Sequence, residues 1–167
     1  MRFTPAALAL SLVLALSASM SHSAPPQVLD PRADALMAKG RAALAAGSTD
    51  QAIDLFESAL AIQPGSVAIT LNLAEATRRQ GLQGKALHYY REALERDPQN
   101  LAAIAGEGAA LSEKGALEKA KRNLARLQGL CGSTCAETRA LSATIARGPA
   151  ERVITADAAK PATISVN

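Results

Sequence analysis

Aromatic side chains are nearly missing from this sequence. It has no tryptophan, and phenylalanine and tyrosine together make up 2% of its residues. Proteins that bind single-stranded nucleic acid stack bases on aromatic rings. Beyond Phe3, only Phe56, Tyr89 and Tyr90 are available for that, so nucleic acid is not an expected partner. Histidine is as scarce, with His22 and His88 alone. A structural zinc site needs four nitrogen or sulfur donors. Two cysteines and one distant histidine fall short, so no metal and no cofactor is expected. His88 lies in the run ALHYYREAL, where no serine or carboxylate pattern gives it a catalytic partner, and no catalytic residue is assigned.

Long apolar runs are absent too. The longest, Ala6–Ala18, is short of the ~20 apolar residues that span a bilayer. It follows Arg2 and precedes small and polar residues and then Pro25-Pro26, which is the layout of a secretory signal peptide. Residues 1–24 are therefore expected to be removed, with a cut after Ser21, Ser23 or Ala24; an uncleaved anchor is the alternative. No cysteine lies near the cut to carry a lipid. Cleavage would take away one base, Arg2, and no acid, bringing the formal charge of +3 closer to neutral. Secretion, expected here to be periplasmic, places the chain where disulfides persist. No stable membrane span is expected after cleavage.

The middle of the chain is self-similar. Gly47, Gly81 and Gly115 recur 34 residues apart, as do Ala52, Ala86 and Ala120, and Phe56, Tyr90 and Leu124. Gly40, Ala74 and Gly108 form a column of small residues. Ala59 and Ala93 form another, which Leu127 breaks, and Pro64 and Pro98 close the first two lines, with Gly132 in the third. A fixed period with several columns in agreement is the mark of a repeat architecture. Each line holds two helical patterns. The shared glycine ends the first helix, where a positive φ is needed, and the proline stops the second. Ser66 and Asn100 suit N-caps, and Ser48 with Gln51 suits a capping box. The glycines Gly106 and Gly108 are expected to weaken their helix, each by roughly 1 kcal/mol relative to alanine.

A repeat array needs a cap over its last apolar face. Thr134 and Glu137 have capping-box spacing, and Ala140, Leu141, Thr144 and Ile145 then recur at helical spacing. The expected organisation is a signal peptide (1–24), a linker (25–32), repeats at 33–66, 67–100 and 101–134, a cap helix at 135–147, and a disordered or loosely docked tail at 148–167 that follows Gly148-Pro149.

The segments LMAKGRAALAAGSTDQAIDLFESALAIQP, LNLAEATRRQGLQGKALHYYREALERDP and IAGEGAALSEKGALEKAKRNLARL resemble the tetratricopeptide repeat family over residues 33 to about 130. The third is degenerate, and the family's bulky aromatic in the first helix is missing throughout. The resemblance implies an all-α fold, a right-handed α-solenoid of about three helical hairpins plus a C-terminal capping helix. It also implies a non-enzymatic protein–protein interaction module that takes a peptide or protein segment on its concave face. Envelope members of the family assist assembly of secretion, pilus or cell-wall machinery. The concave face is lined by the first helix of each repeat. The candidates there are Met37, Arg41, Leu71, Asn72, Glu75, Arg78, Ala102, Ala105, Ala109 and Ser112. Arg41, Asn72, Glu75 and Arg78 are the polar groups expected to reach a bound segment; an ordinary solvated groove is the plainer alternative. Members that grip a C-terminal carboxylate use a lysine, asparagine and arginine clamp. Only Asn72 matches it, with Met37, Arg41, Ala102 and Gly106 at the other clamp positions, so that activity is not expected.

Cys131 and Cys135 lie in GLCGSTCAE, between the last repeat helix and the cap. A disulfide would fix the angle at which the cap docks, although so short a loop gives less stabilisation than the ~3 kcal/mol of a 15-residue loop. The alternatives are a thiol–disulfide redox pair, with Cys135 activated at a helix N-terminus, a partial metal site, and two free thiols. The spacing is neither C-x-x-C nor the C-x-x-C-H of haem attachment. The run KGALEKAKRNLAR is locally basic. Its Leu117, Ala120, Leu124 and Leu127 are expected to be buried. Its Lys119, Arg122 and Arg126 form a solvated face or a docking surface for an acidic partner, and Glu118 is spaced to pair with Arg122.

Overall fold

In a computed structural model, residues 28–149 are described. They form α1 (Pro31–Ala45), α2 (Thr49–Ile62), α3 (Val67–Arg79), α4 (Gln83–Arg96), α5 (Leu101–Glu113), α6 (Leu117–Cys131) and α7 (Ala136–Arg147), with no strand among them. The signal peptide, the first part of the linker (25–27) and most of the tail (150–167) lie outside the described residues, and the last two linker residues belong to α1.

Local chemistry sets the helix ends. Asp30 caps α1 by accepting from the Arg32 amide at 2.8 Å, and Pro31 follows it, where its missing N–H costs nothing. Asn100 caps α5, accepting from the Ala103 amide at 3.0 Å. Gly47, Gly81 and Gly115 turn the chain between paired helices with φ of 80°, 84° and 87°, values an L side chain rarely adopts. The other expected caps differ. Ser66 and Ser48 occupy the N-cap positions of α3 and α2 without a side-chain bond to the helix. The N-cap of α7 is Cys135 rather than Thr134, so no capping box forms there.

The helices pair as α1 with α2, α3 with α4, and α5 with α6, and consecutive hairpins stack. The backbones of the first helices also approach one another along the stack, α1 to α3, α3 to α5 and α5 to α7, whereas those of α2, α4 and α6 stand farther apart, with α2 and α4 bridged by the Glu57–Lys85 ion pair at 3.1 Å. The first helices are therefore the inner layer of a curved solenoid and the second helices the outer one. α7 packs on both α5 and α6 and closes the stack.

The core is a series of knobs seated in small-residue notches. Phe56 of α2 is fully buried, and a Cβ added at Gly40 of α1 would lie 2.5 Å from its ring. Tyr90 of α4 leans forward instead: a Cβ at Gly106 of α5 would lie 2.2 Å from its ring. Leu141 of α7 fills the notch at Gly108, where a Cβ would meet it at 2.6 Å. Gly106 and Gly108 thus admit the side chains that join the third hairpin to its neighbours. The expected weakening of α5 is offset by this packing, because interiors are filled to crystal-like density.

Candidate functional site

The inner face carries a cleft of about 300 Å³ at its C-terminal end. α3 contributes Leu71, Glu75 and Arg78, and α4 contributes Tyr90. α5 provides Ala102, Ala105, Gly106 and Ala109, and α7 provides Ala140, Leu141 and Thr144. Small residues on α5 make its floor, since alanine and glycine keep side chains from filling the space.

One rim of the cleft is a charge network. Arg78 donates from Nη2 to Glu75 Oε1 at 2.8 Å and from Nε to Glu75 Oε2 at 2.9 Å. It also donates to Glu113 of the next repeat. Arg79 donates to Glu75 Oε1 at 2.7 Å, and the Tyr90 hydroxyl donates to Glu75 Oε2 at 3.0 Å. Burial works to raise the Glu75 carboxyl, but the bonds from Arg78 and Arg79 outweigh it and hold the group below its ordinary 4.5. Burial also opposes the charge on Arg78, yet the Glu75 bond and the charges of Glu75 and Glu113 push its pKa up. Burial and the Glu75 charge both push the Tyr90 hydroxyl upward, so it stays a donor. Glu75, Arg78 and Tyr90 therefore form a fixed, paired edge rather than a set of free polar arms.

Of the four polar residues expected to reach a bound segment, Glu75 and Arg78 line this cleft. Asn72 is outside its lining and donates to the Ala68 carbonyl of its own helix at 2.7 Å. Arg41 is exposed on α1, also outside the lining. Leu71, Ala102, Ala105 and Ala109 fall in the cleft, as their positions in the repeat suggest. Met37 and Ser112 do not: Met37 is 5% exposed in the first core cluster and Ser112 is fully buried. Both are buried in the interior, although Met37 shares a repeat column with the cleft-lining Leu71 and Ala105 and Ser112 shares one with Arg78. Tyr90 and the α7 residues were missed, because their approach depends on tertiary packing. Gly106, two residues before Gly108, was the one sequence sign that a large neighbour needed room.

The two cysteine sulfurs are at bonding distance, 2.03 Å, and join the last residue of α6 to the N-cap of α7. The Thr138 hydroxyl lies 3.0 Å from the Cys135 sulfur and donates to the Gly132 carbonyl at 2.9 Å. The Glu137 carboxylate is also near, with ligand atoms of Cys131, Cys135 and Glu137 within 4.8 Å of one another. Sulfurs bonded to each other offer no thiolate, so this cluster has metal-ligating capacity only when reduced.

Elsewhere, His88 is exposed. On α6, Ala120 and Leu127 are buried while Leu117 and Leu124 are half-buried, and Lys119, Arg122 and Arg126 are exposed. Glu118 pairs with Lys121 at 2.8 Å rather than with Arg122. No helix among the described residues is long and apolar enough to cross a membrane.

The sequence matches the tetratricopeptide repeat family model over residues 27–67 and 37–100. Solved structures agree with it. The Sgt2 TPR domain from Aspergillus fumigatus is 26% identical, with a TM-score of 0.65, over 84% of this chain and 91% of that one. The first TPR of Spaghetti (RPAP3), bound to the HSP90 peptide SRMEEVD, is 25% identical with a TM-score of 0.61, over 71% of this chain and 97% of that one. The Arabidopsis OM64 TPR domain, 16% identical with a TM-score of 0.63 over 70% of this chain and 95% of that one, shares the fold. No curated protein matches the sequence. The chain is a tetratricopeptide repeat protein, an α-solenoid of three hairpins and a closing helix, and its fold is one whose members serve in protein–protein interaction.

Proposed function

We propose that the protein is a non-enzymatic interaction module of the cell envelope that holds a protein or peptide segment in the cleft between α3, α5 and α7. The observation that carries this is the cleft itself: an open channel floored by Ala102, Ala105, Gly106 and Ala109, walled by Leu71 and Leu141, and edged by a paired Glu75–Arg78–Tyr90 network. Apolar walls with a few fixed polar groups are the usual make-up of a recognition site. The signal-like N-terminus supports export, and a role in assembling an envelope complex such as a pilus or secretion system follows from the family resemblance alone.

The segment it takes differs from the acidic SRMEEVD peptide that the Spaghetti TPR holds. Ala102 and Gly106 bring no cation to the floor, and the charged rim is internally paired. An apolar segment suits this cleft better than an acidic C-terminus. Ala105→Arg is expected to leave the helical fold intact and abolish capture of the envelope partner. Undiminished capture by Ala105→Arg and by Ala140→Arg would sink the proposal. The competing idea, a thiol–disulfide enzyme built on Cys131 and Cys135, requires turnover in a disulfide-exchange assay that Cys135→Ala abolishes.

A further inference from the structure

The wall that α7 contributes to the cleft is held at few points. Of the residues in α7, only Thr138 and Leu141 are buried. A helix of 12 residues is marginal by itself in water, so its position depends on what ties it down. Ile145 packs against the core from the last turn of α7, and the remaining ties sit close together. Leu141 seats over Gly108, the Thr138 hydroxyl donates to the Gly132 carbonyl at 2.9 Å, and the Cys131–Cys135 bond joins the first turn of α7 to the end of α6.

The bond closes a loop with a sequence separation of only 4. Such a loop contributes little to the stability of the whole chain, so its effect is confined to this joint. Both cysteines are half-buried, within reach of a small reductant. A dithiol supplies the chemistry. Its thiolate attacks one sulfur, forming a mixed disulfide and releasing the other cysteine as a thiol, and its second thiolate then attacks the dithiol sulfur of that mixed disulfide and releases the cysteine still attached. The S–S bond of the protein is replaced by two thiols, which gain two electrons and two protons, and the dithiol leaves as a cyclic disulfide. Cys135 then stands as a thiol at the N-terminus of α7, a position that favours its thiolate. That negative charge would face the Glu137 carboxylate in the same turn.

We propose that the Cys131–Cys135 pair gates the cleft: bonded, it holds α7 in place as the closing wall, and reduced, it lets α7 swing away and lowers affinity for the bound segment. The proposal rests on the cleft being the binding surface. It is tested in two arms on the full chain. In the first, hydrogen exchange is followed with and without a dithiol, and after reoxidation. The α7 amides should exchange at least about tenfold faster when reduced while those of α1–α4 stay unchanged, and reoxidation should restore protection. Equal protection of α7 in both states would overturn the proposal, as would an oxidised-like α7 in the Cys131→Ser, Cys135→Ser double variant.

In the second arm, a diazirine analogue of leucine replaces Leu71, a cleft-wall residue of similar size, and adducts with envelope protein are compared in the two states. Loss of adducts on reduction, alongside release of α7, supports the gate. Equal adducts in both states, with α7 released, overturn the gate and leave the binding site standing. No adducts in either state, with α7 released, remove the binding site and the gate falls with it.

Discussion

The first and last hairpins come from the same repeat but are closed from different directions. Gly40 and Gly108 occupy one column of the repeat, and each leaves a notch on the first helix. In the first hairpin the notch receives Phe56 from the partner helix. In the last, the register mate of Phe56 is Leu124, which is only half-buried, and the notch receives Leu141 from α7. The first hairpin is thus closed by its own side chains and the last by the cap. Between them, Tyr90 points forward into Gly106 and its hydroxyl reaches Glu75, so it joins packing to the cleft rim. A recurring column of small residues therefore specifies a notch without specifying what fills it.

The comparison can be broken most forcefully at Gly106. Gly106→Val should cost up to about 3 kcal/mol in chemical denaturation, because its side chain would overlap the Tyr90 ring at the cleft floor. A loss below about 1 kcal/mol would mean that Tyr90 does not need the notch. Leu141→Ala should cost about 2–3 kcal/mol, and hydrogen exchange should place the loss in α7 and the facing side of α5. A uniform loss across all hairpins would contradict the cap's separate status.

Glu75→Gln should cost about 1–2 kcal/mol by weakening charge-assisted bonds on a partly exposed group. It should also change the acid response. The folded state holds Glu75 below its ordinary 4.5, so it binds fewer protons there than the unfolded chain. Its stabilisation is present above pH 4.5 and is lost as the pH falls through the folded value. Urea titrations across that range should show a shallower acid decline in the variant. At the small end, Gly84 lies in α4 with nothing within 4 Å of an added Cβ. Gly84→Ala should therefore stabilise by about 0.5–1 kcal/mol, a change opposite in sign to the one at Gly106.

Much of the architecture was legible because it rests on local chemistry repeated at a fixed spacing. Gly47, Gly81 and Gly115 mark backbone turns that need positive φ, and Ala52, Ala86 and Ala120 are fully buried in their hairpins. The cleft was legible in part. Leu71, Ala102, Ala105 and Ala109 follow from position in the repeat, whereas Met37 and Ser112 are buried outside the cleft. Glu75 and Arg78 line the cleft, but their pairing with Tyr90 and Glu113 joins residues from separate helices and leaves no pattern in sequence. Gly106 and Gly108 were misjudged because helix propensity counts the missing side chain as a loss, while the fold uses the vacant volume.

The central claim is that segment binding belongs to the α3–α5–α7 end of the inner face. The most direct measurement is a photo-cross-linking scan in the native host, with a small aliphatic diazirine residue, uncharged unlike arginine and suited to an apolar cleft, placed in turn at Arg41, Asn72, Ala105, Ala140 and His88. The account predicts the highest adduct yields at Ala105 and Ala140, little at Arg41, and none at His88 on α4. Adducts concentrated at Arg41 or His88, with Ala105 and Ala140 silent, would contradict it.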